Sequence, residues 1–113
     1  MRTAMIRYRV KAELAAENER LVKQVFEQLE REQPAGLRYA TFKLPDGVSF
    51  MHVVVDDAAD GTSTLQKIPA FREFLAAINE RVEEQPVRTE LAVIGSYVST
   101  DPHFGTVPLP SQH

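Results

Sequence analysis

The sequence predicts an α+β domain of the ferredoxin-like type, with strands and helices in the order β-α-β-β-α-β. The hydrophobic pattern changes from a period of two to a helical period and back, twice along the chain. A turn at Pro45-Asp46-Gly47 separates two β-rich runs. The tripeptides Glu32-Gln33-Pro34 and Glu84-Gln85-Pro86 end two helical segments alike, which is a faint internal repeat. In this topology two helices cover one face of a four-stranded antiparallel sheet.

The composition limits the protein to one domain and excludes several classes of function. The 113 residues suffice for one core, and 43% of them are hydrophobic. The net charge of -3 does not favour a nucleic-acid or membrane-surface partner. No cysteine is present, so disulfides, thiol catalysis and zinc-thiolate sites are excluded. No spanning helix or secretory signal is recognisable, and we expect a cytoplasmic protein.

The first half of the chain contains a strand and a helix. Residues 4–11 alternate between apolar and polar side chains, which predicts a strand. Asn18 is a plausible N-cap of a helix over about 17–32. Gln33-Pro34 ends this helix, because the residue before a proline avoids the helical region. The helix carries an apolar stripe formed by Val22, Val25, Phe26 and Leu29.

A hairpin and a second helix follow. Strands are predicted over 37–44 and 48–56, on either side of the Pro-Asp-Gly turn. The second helix begins near Pro69 and ends at Gln85-Pro86. Its apolar positions are Phe71, Phe74, Leu75, Ile78 and Val82.

The last predicted strand covers about residues 87–98. It completes a single ferredoxin-like domain over residues 1–98. Residues 99–113 hold three prolines and a glycine without periodicity, so we expect an extended C-terminal tail.

The strands are apolar on both faces, although two helices can cover only one. In the third strand Phe50, His52 and Val54 share one face, and Met51 and Val53 lie on the other. An exposed apolar patch of this size is unusual on a monomer. We therefore expect a second copy to cover the open face, giving a homodimeric α+β barrel with an interior cavity.

Parity along the strands predicts which side chains line this cavity. Arg7 and Arg9 are expected to face it, while Tyr8 packs under the helices. His52 and Glu90 are expected beside the two arginines, since the first strand lies between the third and the fourth in this topology. The predicted substrate-binding residues are Arg7, Arg9, Tyr39, Phe50 and Glu90, with Thr41 as a further candidate.

His52 is the predicted catalytic residue, and each candidate also has a structural interpretation. An imidazole in an apolar cavity could take a proton from a phenol or hydroquinone. Alternatively, His52 is hydrogen-bonded to a neighbouring carboxylate or tyrosine. Arg7 or Arg9 could hold a carboxylate or enolate oxygen, or could instead pair with Glu90. The histidines show no metal-ligand spacing, so no metal site is expected.

The chain resembles the antibiotic-biosynthesis-monooxygenase-like domains of the dimeric α+β barrel superfamily over residues 4–98. Besides the element order, the resemblance is carried by four short segments. They are Gly36-Leu37-Arg38-Tyr39, Phe50-Met51-His52, Phe71-Arg72-Glu73-Phe74 and Gly95-Ser96-Tyr97. The resemblance implies a homodimer whose cavity holds an apolar or aromatic ligand.

It further implies a cofactor-independent monooxygenase that acts on an aromatic or quinol-like small molecule. A non-catalytic dimer that binds a small apolar ligand, or serves in assembly, is the alternative. The absence of tryptophan favours that alternative, whereas His52 among apolar neighbours favours the enzyme. Haem binding with His52 as axial ligand is a third hypothesis.

Overall fold

The predicted elements form in the predicted order and confirm the ferredoxin-like α+β fold. The computed structural model describes residues 2–58 and 63–97. Its antiparallel sheet has the order β2-β3-β1-β4, so β1 lies between β3 and β4 as expected. The elements are β1 Arg2–Val10, α1 Ala15–Glu32, β2 Leu37–Lys43, β3 Ser49–Asp56, α2 Pro69–Ala76, α3 Ile78–Arg81 and β4 Val82–Glu90.

Helix α1 covers the sheet with the predicted apolar stripe. Val22 and Val25 are buried, and Phe26 and Leu29 pack against the core. Gln33 adopts a left-handed conformation with φ of 49° and ends the helix before the proline. The N-cap prediction is wrong, because a 3-10 turn precedes the helix and Asn18 lies within its first turns, fully buried.

The hairpin between β2 and β3 forms around the Pro-Asp-Gly turn. Gly47 has φ of +78°, a conformation that favours glycine. The Asp46 carboxylate accepts hydrogen bonds from the backbone N–H groups of Val48 and Ser49 at 2.9 and 2.8 Å. Local turn chemistry therefore sets the register of this hairpin.

The second helical segment is shorter than predicted. Helix α2 stops where Ala77 takes φ of -121°, and the single turn of α3 ends at Arg81. Val82 is not a helical residue, because it begins β4 and pairs with Val10 in the core. Val82 lies four residues after Ile78, which fits a helical stripe, but pairing with β1 buries Val82 equally well.

Strand β4 therefore begins earlier and ends earlier than predicted. Gln85-Pro86 does not end a helix but lies inside β4, where the pairing with β1 shifts between Arg7 and Arg9. Proline lacks an N–H group and is tolerated in edge strands and at bulges. Residues 91–97 form no strand, and they expose Leu91, Val93 and Ile94.

Two further predictions concern the C-terminal tail and membrane-spanning helices. The C-terminal tail lies outside the described residues, so its extended conformation stays a prediction. In the part of the chain that the structure describes, no helix is long and apolar enough to cross a membrane.

Candidate functional site

The side chains that carry chemistry gather on the helix-covered face of the sheet. His52 pairs directly with Ile6 across β1 and β3, so both side chains point to the face that the helices cover. His52 is only 4% exposed. Its predicted position on the open face is therefore wrong, because the alternation along β3 places His52 with Phe50 and Val54 in the core.

His52 is held between two tyrosines. Its Nε2 lies 2.8 Å from the Tyr8 hydroxyl, and its Nδ1 lies 2.5 Å from the Tyr39 hydroxyl. The Thr41 hydroxyl is 3.1 Å from the same Nδ1. The Phe74 ring packs on the imidazole with centroids 5.5 Å apart. The structural interpretation of His52 as hydrogen-bonded to a tyrosine is confirmed.

Two polar residues that sequence reasoning did not select extend this cluster. Asn18 donates from Nδ2 to the Tyr8 hydroxyl at 2.9 Å. Arg81 donates from Nε to Asn18 Oδ1 at 3.0 Å and from Nη2 to the Phe74 carbonyl at 2.7 Å. Arg81 is 3% exposed, and within the described residues no carboxylate pairs with it. Sequence patterns do not single out Arg81, because an arginine near the end of a predicted helix is usually solvated.

Burial shifts the ionisation of the cluster. Burial lowers the pKa of His52 to about 4, so the imidazole is neutral near pH 7. Burial raises the pKa of Tyr8 to about 12, although the hydrogen bond from Asn18 and the charge of Arg81 oppose this. Burial also raises the pKa of Tyr39. The cluster is thus a chain of neutral groups that ends at a buried guanidinium.

A cavity of about 170 Å³ lies beside this cluster on the same face. Its apolar wall includes Ile6, Val54 and Phe71, whereas His52, which pairs with Ile6, does not line it. The Phe71 ring also stands edge-on to Tyr39, with centroids 6.4 Å apart. The remaining lining residues are Arg2, Asp56, Ser63, Leu65, Gln66 and Arg88.

The open face carries Arg7 and Arg9, as predicted. Both are exposed, and they border a groove of about 470 Å³ together with Met5, Val87 and Thr89. The nearby acid is Glu84 and not Glu90, since Arg9 lies 3.5 Å from Glu84. The shifted pairing around Gln85-Pro86 places Glu84 opposite Arg9.

Three predicted substrate-binding residues do not lie on the open face. Glu90 pairs with the buried Ala4, which puts it on the helix-covered side of the edge strand, where it contacts Arg88 at 3.3 Å. Phe50 is buried and stacks with Tyr8. Tyr39 pairs with Val54 and shares its face, together with Thr41. Because side chains alternate along each strand, all of these residues lie on the face opposite Arg7.

The haem hypothesis gains no support from this geometry. A histidine that binds haem iron needs a free ring nitrogen. Both nitrogens of His52 contact protein hydroxyls, and aromatic rings cover the imidazole.

Comparison with known proteins gives structural relatives only. No known family model matches the chain, and no curated protein is similar to it in sequence. An antibiotic biosynthesis monooxygenase is similar in structure, with a TM-score of 0.69 and 14% identity, over 84% of this chain and all of that one. A protein from Mycobacterium tuberculosis gives a TM-score of 0.70 at 14% identity, covering 86% of this chain and 98% of that chain.

SnoaB, a cofactor-independent oxygenase from Streptomyces nogalater, is also similar. It gives a TM-score of 0.62 at 16% identity, over 84% of this chain and 94% of that chain. At these low identities the similarity concerns the fold alone, an antiparallel four-stranded sheet with covering helices. The chain therefore has the antibiotic-biosynthesis-monooxygenase-like fold.

Proposed function

We propose that the protein is a cofactor-independent monooxygenase that oxidises a single-ring phenol or hydroquinone in the helix-side cavity. The observation that carries the proposal is a buried imidazole held between two phenolic hydroxyls, beside a cavity with an apolar wall and arginines at its rim. Catalytic sites often contain ionisable groups whose pKa values are shifted by burial. The solved oxygenases with this fold support the same reaction class.

The size of the cavity selects the substrate class. An apolar cavity of roughly 150 Å³ can hold a benzene molecule. The 170 Å³ available here therefore suits one aromatic ring. Ile6, Val54 and Phe71 would contact the ring.

The rim of the cavity suits an anionic oxygen. Arg88, which lies 3.3 Å from Glu90, lines it, and so does Arg2, whose guanidinium lies 3.8 Å from the Asp56 carboxylate in the same lining. A guanidinium donates charge-assisted hydrogen bonds to an oxygen anion and so favours ionisation of a phenol. The phenolate formed in this way can give an electron to dioxygen without a metal.

The proposed reaction balances with dioxygen as the only oxidant. Hydroquinone and one O₂ give hydroxyquinone and one water, so that one oxygen atom enters the ring and the other leaves as water. The ring supplies the electrons, and no external reductant is needed. We propose that the Tyr39 hydroxyl, backed by the Nδ1 of His52, gives a proton to the oxygen anion formed when dioxygen adds to the ring, once Phe71, which lines the cavity beside Tyr39, turns aside. The proton released when the phenol ionises replaces the one that the cluster gave.

The activity is tested with hydroquinone and ¹⁸O₂. We expect hydroxyquinone that carries one ¹⁸O atom, with one molecule of O₂ consumed per turnover and no hydrogen peroxide formed. Arg88→Gln should lower kcat/KM about tenfold, because a charge-assisted hydrogen bond to the phenolate is lost. Arg20→Gln is the matched control, since Arg20 is exposed on α1 and pairs with Glu17. This control should leave kcat/KM unchanged.

Two results would contradict the proposal. Unlabelled quinone with hydrogen peroxide would show simple autoxidation in solution. Binding of hydroquinone without oxygen uptake would favour the alternative, a non-catalytic ligand-binding domain of the same fold.

We also propose that a second copy of the chain covers the open face, as the apolar residues there suggest. Met5, Met51 and Val53 are only half-buried in one copy, and Phe42 is 40% exposed. Covering them would enclose the groove beside Arg7 and Arg9, so that a ligand bound there would contact both copies. Removing this apolar surface from water would stabilise the dimer.

A charge on the open face should weaken the proposed dimer. Val53→Glu places a carboxylate at the centre of this face, and we expect the dimer dissociation constant to rise about 100-fold. Ala16→Glu on the exposed side of α1 is the control and should leave the constant unchanged. Sedimentation velocity measures both, with thermal unfolding to confirm the fold. A wild-type monomer at micromolar concentration would refute the dimer.

A further inference from the structure

We infer that Arg81 and Asn18 are positioning residues that hold His52 in the tautomer with its proton on Nδ1. They do so through a directed chain of hydrogen bonds that runs from α3 to β2. The chain passes from Arg81 through Asn18 and Tyr8 to His52, and its last acceptor is on Tyr39.

The first step fixes the orientation of the Asn18 amide. A guanidinium has only donors, so the Asn18 atom that faces Arg81 at 3.0 Å must be the oxygen. The amide nitrogen of Asn18 then faces the Tyr8 hydroxyl at 2.9 Å and donates to it. Arg81 itself is anchored by its hydrogen bond to the Phe74 carbonyl.

The second step fixes the direction of the Tyr8 hydroxyl. Tyr8 is 3% exposed, and among the described residues its hydroxyl has two partners, Asn18 and His52. Since Asn18 donates, the proton of Tyr8 has one acceptor left, the Nε2 of His52 at 2.8 Å. A buried hydroxyl that left its proton without an acceptor would be costly.

The third step assigns the tautomer. A neutral imidazole carries one proton, and Nε2 accepts from Tyr8, so the proton is on Nδ1. Nδ1 then donates to the hydroxyl of Tyr39, with Thr41 at 3.1 Å as a second acceptor. The imidazole thus presents a donor towards β2 and an acceptor towards β1.

This inference deepens the proposed function, on which its catalytic meaning rests. With the proton on Nδ1, the cluster is directed to give protons outward through Tyr39, so it would donate to an oxygen anion formed during the reaction. The negative charge left behind would move to Tyr8, next to the Asn18 amide and the Arg81 guanidinium. The tautomer itself can be measured without any turnover.

The test is ¹⁵N NMR of the histidine ring nitrogens in the full-length protein, with His52→Gln used to assign the His52 signals. We expect a protonated Nδ1 and an unprotonated Nε2 in the wild type. Asn18→Asp should reverse this, because the new carboxylate would accept from both Arg81 and Tyr8. Tyr8 would then accept from His52, and the proton would move to Nε2.

Arg81→Lys is the conservative control, since an ammonium still donates to the Asn18 oxygen, and the Nδ1 proton should remain. A change that only loosened the packing would not exchange the two nitrogen signals. A wild-type protein with its proton on Nε2 would overturn the inference, even if Asn18→Asp failed to fold. An unchanged tautomer in folded Asn18→Asp would also overturn it. Neither result depends on whether the protein oxidises hydroquinone.

Discussion

Lowering the pH from 6.5 to 4 should reduce the free energy of unfolding by about 3 kcal/mol through His52 alone. In the unfolded chain the imidazole binds a proton below its ordinary pKa of 6.5, whereas in the folded protein it stays neutral down to about 4. The unfolded state therefore binds more protons across this window. The stabilisation is complete above pH 6.5 and is lost as the pH falls towards 4.

Urea denaturation at a series of pH values measures this effect, with His52→Gln as the control. The variant cannot take up the proton, so its stability should be nearly constant between pH 6.5 and pH 5. The comparison stops at pH 5 because the folded protein lowers the pKa values of Glu17, Glu19 and Asp56, whose carboxylates would add a slope of their own at lower pH. Asp46, whose pKa its hydrogen bonds lower to about 2, contributes only at lower pH. Equal slopes for the two proteins would contradict the buried, neutral imidazole.

Removing the Tyr8 hydroxyl should destabilise the protein more than removing the Tyr39 hydroxyl. Tyr8→Phe leaves the Nε2 of His52 and the amide nitrogen of Asn18 without their partner, and both residues are buried. We expect a loss of about 3 kcal/mol in the free energy of unfolding. Tyr39→Phe should cost about 1 kcal/mol, because Thr41 remains as a partner for His52.

The two variants form a matched pair, since each loses one hydroxyl and keeps its ring. Both rings remain packed, Tyr8 against Phe50 and Tyr39 against Phe26. Denaturant unfolding of both variants and the wild type, at constant pH, gives the comparison. Equal losses, or a larger loss for Tyr39→Phe, would show that the hydrogen bonds of Tyr8 do not organise the cluster.

The parts of the fold that were predictable depend on local signals. The hairpin could be predicted because Asp46 and Gly47 have backbone requirements that act within four residues. The first helix could be predicted because its apolar stripe repeats over several turns. The boundary between α3 and β4 could not, because Val82 is equally acceptable in a helical stripe and in a strand opposite Val10.

The candidate site was predictable in its residues but less so in its arrangement. His52 and Tyr39 were both selected, and they do contact each other. The predicted face of His52 was wrong because β3 is apolar on both sides and has no polar side by which to orient it. The pairing of His52 with Ile6 on β1 decides its face. Glu84 replaced Glu90 beside Arg9 because of the irregular pairing at Pro86, which no periodic pattern reveals.

The sequence by itself determined the element order, the turn chemistry and the presence of a histidine in apolar surroundings, since these follow from neighbouring residues. Tertiary structure alone decided that Asn18 and Arg81 meet the hydroxyl of Tyr8. These residues come from α1, the end of α3 and the inner strand β1. Asn18 and Arg81 are 63 positions apart in the sequence. The fold brings them together because a guanidinium and an amide buried in the core must each find a partner there.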